Sequence, residues 1–189
     1  NINEKIKLEY PFIIKPSDSQ GQRGVNLVHN KDDFENYFHK AIRYSRAGSV
    51  IIEEYVQGKE ISVNAFVLNG KIVYSFISDR ITWENFPGWI IHKHILPPIE
   101  LSDNARKNIN KLIEDVNRKL DILEGPLYFQ IKLKEDEPKL IEVTPRFDGC
   151  HMWRLIKYST GIDLLDMTVK LLVNGDIDII DNYNLRNCI

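Results

Sequence analysis

Three stretches of this 189-residue chain combine residue types that could do chemistry. In "PFIIK", Lys15 ends an apolar run and is followed by a loop carrying Gly21 and Gly24. Glycine lets backbone N–H groups approach phosphate oxygens, and an ammonium supplies the countercharge. A solvated lysine beside a hairpin tip is the plainer alternative. The spacing is not GxxxxGK[ST], and no helical pattern directly follows Gly24, which excludes a Walker-type loop. In "IIEEYVQGKE", a strand leaving a core at residues 53–56 would offer backbone groups to the edge of a planar heterocycle, and Glu60 could accept hydrogen bonds from sugar hydroxyls. Surface charge at strand ends is the competing reading for Glu53, Glu54 and Glu60. In "KLIEVTPRFDGC", Glu142 and Arg146 stand where a strand stops. Gln130 lies on the preceding strand, roughly opposite Glu142 if the register is regular. An amide oxygen and a carboxylate on one hairpin face suit Mg²⁺, and Arg146 could clamp a phosphoryl group. A structural salt bridge is the alternative there.

Elements that would position these residues follow from periodicity and punctuation. Residues 11–15 and 25–28 read as a hairpin with a long, flexible tip. A helix from Asp32 to about Arg46 has Phe34, Tyr37, Phe38, Ala41 and Ile42 at helical spacing. A buried strand spans residues 49–56. Residues 58–80 alternate and turn at Asn69-Gly70, a strong hairpin signal. The aromatic and histidine-rich segment 81–98, with Trp83, Phe86, Trp89, His92 and His94, has no clear period and reads as a mobile loop in which the tryptophans anchor to the core. A helix capped by Ser102 or Asp103 presents Ala105, Ile109, Leu112, Ile113, Val116, Leu120 and Leu123 on one face and stops at Gly125-Pro126. Residues 127–146 form a second hairpin turning at residues 135–138, and residues 162–175 an amphipathic helix. The tail beyond residue 175 is polar. Hairpins with interspersed helices predict an α+β architecture with two antiparallel sheets facing each other.

Composition narrows the class. Hydrophobic residues make up 43% and charged residues 28%, too apolar for disorder and ordinary for a soluble domain. A net charge of −2 argues against nucleic acid as a partner. The two cysteines, Cys150 and Cys188, form no CxxC pair, so a disulfide framework is not indicated. No apolar run reaches bilayer length and no leader pattern opens the chain, so the expected location is cytoplasmic with no membrane partner. The start at Asn1 suggests a piece of a longer protein.

"PFIIKPSDSQGQRGV", "VIIEEYVQGKEISV" and "GPLYFQIKL…KLIEVTPRFDG", in this order, resemble the ATP-grasp superfamily over nearly all of residues 10–175. The last segment is most similar to the large subunit of carbamoyl-phosphate synthetase and its relatives, in which a Gln fills the position of Gln130. The resemblance implies one ATP-grasp domain over residues 1–189, with an N-terminal lobe at about 10–56, a C-terminal lobe at about 57–175, ATP held between the two sheets, and an upstream domain absent from this chain. It implies that Lys15 binds the α- and β-phosphates and acts in catalysis, and that the loop 17–24 with Gly21 and Gly24 folds over the triphosphate. Glu53, Glu54 and Val56 meet adenine, Glu60 holds the ribose, and Gln130 and Glu142 bind Mg²⁺, with Mn²⁺ as a substitute. Arg146 then lies near the transferring phosphate.

The implied activity is ATP-dependent ligation of a small carboxylate to an amine or ammonia through an acyl phosphate, in an enzyme that could be a homo-oligomer. Arg80, Lys93, His94 and Arg154 are candidates for the carboxylate. Cys150-His151 reads as packing and capping rather than a nucleophile pair. Two departures are visible: Thr144 stands where many relatives carry Asn, and Gln130 where many ligases carry an acid. These features support the alternative, a nucleotide-binding regulatory module with lost or weak catalysis. A protein-kinase-like phosphotransferase is disfavoured because HRD and DFG segments are missing.

Overall fold

A computed structural model describes residues 8–83, 89–175 and 177–180. Phe86, Cys188 and most of the polar tail fall outside the described residues. The chain divides into two compact units, residues 1–56 with 82–91, and residues 57–81 with 92–189.

In the smaller unit, β1 (Phe12–Pro16) is the central strand between β2 (Asn26–Val28) and β3 (Val50–Glu54), antiparallel to both. Alternation puts Phe12 and Ile14 on the face that packs against α1 (Lys31–Tyr44), where they meet Phe34 and Ala41 in one apolar cluster. The opposite face carries Ile13 and Lys15. Helix α1 begins at Asn30, whose side chain accepts the Asp33 N–H, and Asp32 and Asp33 lie in the first turn, where acids complement the helix dipole.

The larger unit is built on a five-stranded sheet in the order β6-β5-β4-β7-β8. Its strands are β4 (Lys59–Leu68), β5 (Lys71–Thr82), β6 (Ile91–Ile95), β7 (Gly125–Lys134) and β8 (Glu137–Thr144). On one face Ile61, Val63, Ala65, Val67, Ile77, Phe129 and Ile131 pack against Ala105, Ile109 and Ile113 of α2 (Asp103–Leu120). Full burial of each such Ile is worth about 1.5–3 kcal/mol. The other face is divided. Phe66, Tyr74 and Phe76 pack with α3 (Met152–Thr160) and α4 (Leu164–Asn174), whereas Glu60, Ser62, Asn64, Ser78 and Arg80 form a buried polar stretch.

Both hairpin turns are tied to α2. Asn69 and Gly70 adopt positive φ at the β4–β5 tip, as a two-residue type I′ connection requires, and the Gly70 carbonyl accepts from Asn117 Nδ2 at 2.9 Å. In the β7–β8 turn, Asp136 accepts from Ser102 Oγ (2.6 Å) and Asn104 Nδ2 (2.9 Å) at the N-terminal end of α2.

Several local expectations are corrected. The segment read as a mobile loop contains β6, an edge strand whose five residues are too few for alternation to stand out. Helix α2 ends at Leu120 with Asp121 in the left-handed region; Gly125-Pro126 opens β7 rather than stopping the helix, and Leu120 and Leu123 are exposed. The β7–β8 turn is tighter than expected, because Lys134 already pairs with Glu137. Helix α3 was not anticipated, although Met152 and Ile156, buried at i and i+4, and the left-handed Gly161 cap mark it.

Candidate functional site

In the smaller unit, Lys15 stands opposite Ile51 on β3, with Glu53 one pleat further along the same face. Its Nζ lies 2.8 Å from Glu53 Oε1, both side chains being partly exposed. The loop after Lys15 is less free than its composition implied. Ser17 N–H donates to the Ser49 carbonyl, and the Asp18 carboxylate accepts from Ser45 Oγ at 2.7 Å and from the Arg46 and Ala47 N–H groups just past α1. The Ser45 hydroxyl first, and then these backbone donors, hold the Asp18 carboxyl below its ordinary value. Gly24 has φ +78, and a Cβ there would come within 2.9 Å of Pro16 Cγ and Tyr44 Cδ2. Gly21 also has positive φ, but among the described residues no atom lies within 4 Å of where its Cβ would be. Val56 is half-buried and lies beyond the end of β3, outside the strand ladder, while Glu54 is exposed.

In the larger unit, the geometry of the last hairpin rests on one irregularity. Ile131 pairs with Leu140, so an unbroken ladder would set Gln130 against Ile141. A bulge leaves Ile141 unpaired and brings Glu142 opposite Gln130 instead. Residues directly opposite share a face, so the extra residue turns Glu142 onto the polar side of the sheet. Thr144, opposite Tyr128, follows it there. The Gln130 amide donates through Nε2 to Glu60, which leaves its carbonyl oxygen available. Thr144 Oγ1 is buried without a hydrogen-bond partner among the described residues. Glu142 is exposed. The register thus places an amide, a carboxylate and a hydroxyl on one face of the hairpin, hard oxygen donors of the kind that suit Mg²⁺ rather than a soft metal.

Glu60 sits at the centre of the polar stretch. It is buried and ion-paired with Arg80, accepts from Gln130, and has Lys132 Nζ at 3.4 Å from its second oxygen. Arg80, expected at the end of the 58–80 hairpin as a candidate for the carboxylate, is a buried β5 residue committed to Glu60. His94 is likewise buried, on β6, with Nδ1 3.5 Å from Ser78 Oγ and Nε2 3.7 Å from Asp148 Oδ2. Burial pushes its imidazole below the ordinary value, against the pull of Asp148. Lys93 and Arg154 are exposed; the Arg154 guanidinium lies over the Trp153 ring at 5.5 Å. Arg146 is exposed and donates to the Phe147 carbonyl at 2.7 Å. The structure therefore brings together Glu60, Arg80, Gln130 and Glu142, and leaves Lys93, Arg146 and Arg154 at the surface.

Sequence reasoning missed Ser62, Asn64, Ser78, Tyr128 and Asp148. The first three were signalled, because Glu60, Ser62 and Asn64 recur at alternate positions inside an otherwise apolar strand, as do Ser78 and Arg80. Such a row marks a buried polar face. Tyr128, hydrogen-bonded to Ser62 at 3.3 Å, has its phenol pushed up to about 12, chiefly by burial.

Among known proteins, "Multifunctional protein pyrABCN" of Emericella nidulans is 28% identical over 174 residues, which are 89% of this chain and 7% of that protein. The carbamoyl phosphate synthase large chain of Methanoculleus marisnigri is 24% identical over 172 residues, 88% of this chain and 16% of that one. This chain thus spans only a small part of the curated relatives it matches. In fold it resembles the biotin carboxylase of Campylobacter jejuni, with a TM-score of 0.77 at 19% identity over 94% of this chain and 40% of that one. The family model of the ATP-grasp domain matches residues 8–153. With its two antiparallel sheets and its matched segment running from ahead of β1 through the β7–β8 hairpin, the chain belongs to the ATP-grasp domain family.

Proposed function

We propose that this chain is the nucleotide-binding and catalytic part of an ATP-dependent ligase that joins a small carboxylate to an amine or ammonia. The observation that carries the reading is the Gln130–Glu142–Thr144 oxygen set, which the β8 bulge collects on one face of the hairpin in a chain of ATP-grasp lineage. The names of the relatives, a carbamoyl phosphate synthase among them, support a reaction that activates an acid with ATP.

In this reaction a carboxylate oxygen attacks the γ-phosphorus of ATP, the bond to the β-phosphate oxygen breaks, and ADP leaves. The nitrogen lone pair then adds to the acyl phosphate carbonyl, and inorganic phosphate departs with its electron pair while the nitrogen loses a proton. Splitting the condensation gives the acyl group a good leaving group. Gln130 and Glu142, with the Thr144 hydroxyl on the same face, would hold Mg²⁺, which would supply neutralisation of phosphate charge. Lys15 binds phosphate oxygens, and for this its ammonium exchanges the Glu53 carboxylate for the nucleotide. Backbone groups at residues 53–56 read the adenine edge. Arg146, exposed past the end of β8, swings toward the transferred phosphoryl group. Glu60 meets the ribose only at its margin, because its carboxylate is committed to Arg80 and Lys132.

ADP release, measured across a panel of amino acids and simple carboxylates with ammonium present, tests the reading. Substrate-stimulated turnover is expected, and Glu142→Ala removes it while circular dichroism stays unchanged. A second reading, a nucleotide sensor without turnover, is favoured by the single carboxylate in the oxygen set. It predicts calorimetric ATP binding with no stimulated ADP release.

A further inference from the structure

We propose that His94, Asp148 and Cys150 form a binding site for a divalent transition metal ion of the zinc class, with a fourth coordination position open to water or substrate. One ligand atom from each of the three residues lies within 4.8 Å of the other two. The side chains of His94 and Asp148 are only 5% and 6% exposed. His94 Nε2 and Asp148 Oδ2 are neighbours, and among the described residues both are buried without a hydrogen-bond partner. At 3.7 Å they are too far apart to hydrogen-bond. An imidazole nitrogen and a carboxylate oxygen bound to one tetrahedral ion, with bonds of about 2.0–2.2 Å, stand roughly 3.3–3.5 Å apart, so a closure of a few tenths of an ångström from the 3.7 Å found brings the pair to ligand spacing. Two buried polar atoms left without hydrogen bonds are a cost, which a cation held by both would relieve.

The remaining atoms of the two side chains are held as a metal site requires. Asp148 Oδ1 accepts the Cys150 N–H at 3.2 Å, which turns Oδ2 toward His94. Ser78 Oγ, at 3.5 Å from His94 Nδ1, can take the Nδ1 proton and leave the Nε2 lone pair for the ion, the outer-shell arrangement usual for metal-bound histidine. Cys150 is exposed and opens the cluster to solvent. An imidazole, a thiolate and one carboxylate select zinc or cobalt over magnesium or calcium. Three protein ligands with one vacant position resemble catalytic rather than structural zinc sites. The cluster is distinct from the oxygen set of Gln130, Glu142 and Thr144, and it stands whether or not the ligase reading holds.

Cobalt(II) titration of the purified protein tests the proposal, because tetrahedral thiolate-ligated cobalt has intense d–d bands and a sulfur-to-metal charge-transfer band. One equivalent of cobalt per chain is expected, displaced by Zn²⁺ and untouched by a large excess of Mg²⁺. Cys150→Ser, at an exposed position, should abolish the charge-transfer band with unchanged circular dichroism, and Ser78→Ala should weaken cobalt binding by about tenfold. The proposal is overturned if no charge-transfer band forms, or if the band survives Cys150→Ser and disappears with Cys188→Ser.

Discussion

Removal of Arg80 from the Glu60 cluster tests whether the polar face of the large sheet is held by its central ion pair. The side chains of Glu60 and Arg80 are 6% and 5% exposed, so neither group regains water when the other is deleted. Breaking a buried pair from one side costs about 3–5 kcal/mol. Lys132 Nζ remains 3.4 Å from the second Glu60 oxygen and Gln130 still donates to the first, which places Arg80→Met near the lower end, about 3 kcal/mol. With a urea dependence of about 2 kcal/mol per molar, the unfolding midpoint falls by roughly 1.5 M. Trp83 and Trp89 belong to the smaller unit and Trp153 to the larger, so Trp83→Phe/Trp89→Phe is a suitable background in which fluorescence follows the large unit alone. Glu60→Gln in the same background removes the carboxylate charge, and the double variant Glu60→Gln/Arg80→Met no longer buries an uncompensated ion. Its loss should therefore be smaller than the sum of the single losses by about 2 kcal/mol. Single losses that simply add, to within about 0.5 kcal/mol, would refute the reasoning, since they would mean that the two side chains do not compensate each other.

Three further outcomes are expected. Lys15→Ala weakens nucleotide affinity by roughly tenfold or more, the scale of one charge-assisted hydrogen bond; unchanged affinity by calorimetry would remove the phosphate role. Gly24→Ala destabilises the smaller unit by about 1–3 kcal/mol, because the left-handed backbone and the 2.9 Å approaches to Pro16 and Tyr44 both oppose a Cβ, whereas Gly21→Ala meets no neighbouring atom and costs less in the same thermal melts. The raised Tyr128 phenol, about 12 against an ordinary 10, contributes stability that is fully present below pH 10 and is lost as pH rises toward 12. Tyr128→Phe should flatten the alkaline limb of the stability–pH curve, and an unaltered limb would contradict the burial argument.

Local chemistry in the sequence was enough for the hairpin at Asn69-Gly70, for α1 and α2, for Lys15 at a strand end, and for the family resemblance carried by the β7–β8 hairpin. Each of these rests on interactions between residues near one another in the chain, where periodicity and turn chemistry act directly. Alternation in β4 and β5 also recorded the polar row from Glu60 to Asn64, although its meaning emerged only when the opposite row was seen to pack on α2.

Tertiary structure decided the rest. Alternation tells which residues share a face but not where a bulge falls, and the one at Ile141 is what sets Glu142 beside Gln130. Glu60 and Arg80 meet because neighbouring strands align them, and His94 reaches Asp148 across more than 50 positions of chain because β6 joins the edge of the sheet. Such contacts are selected by which long-range pairings bury the most apolar surface at the least cost in buried charge, and that balance is a property of the folded whole rather than of any one segment.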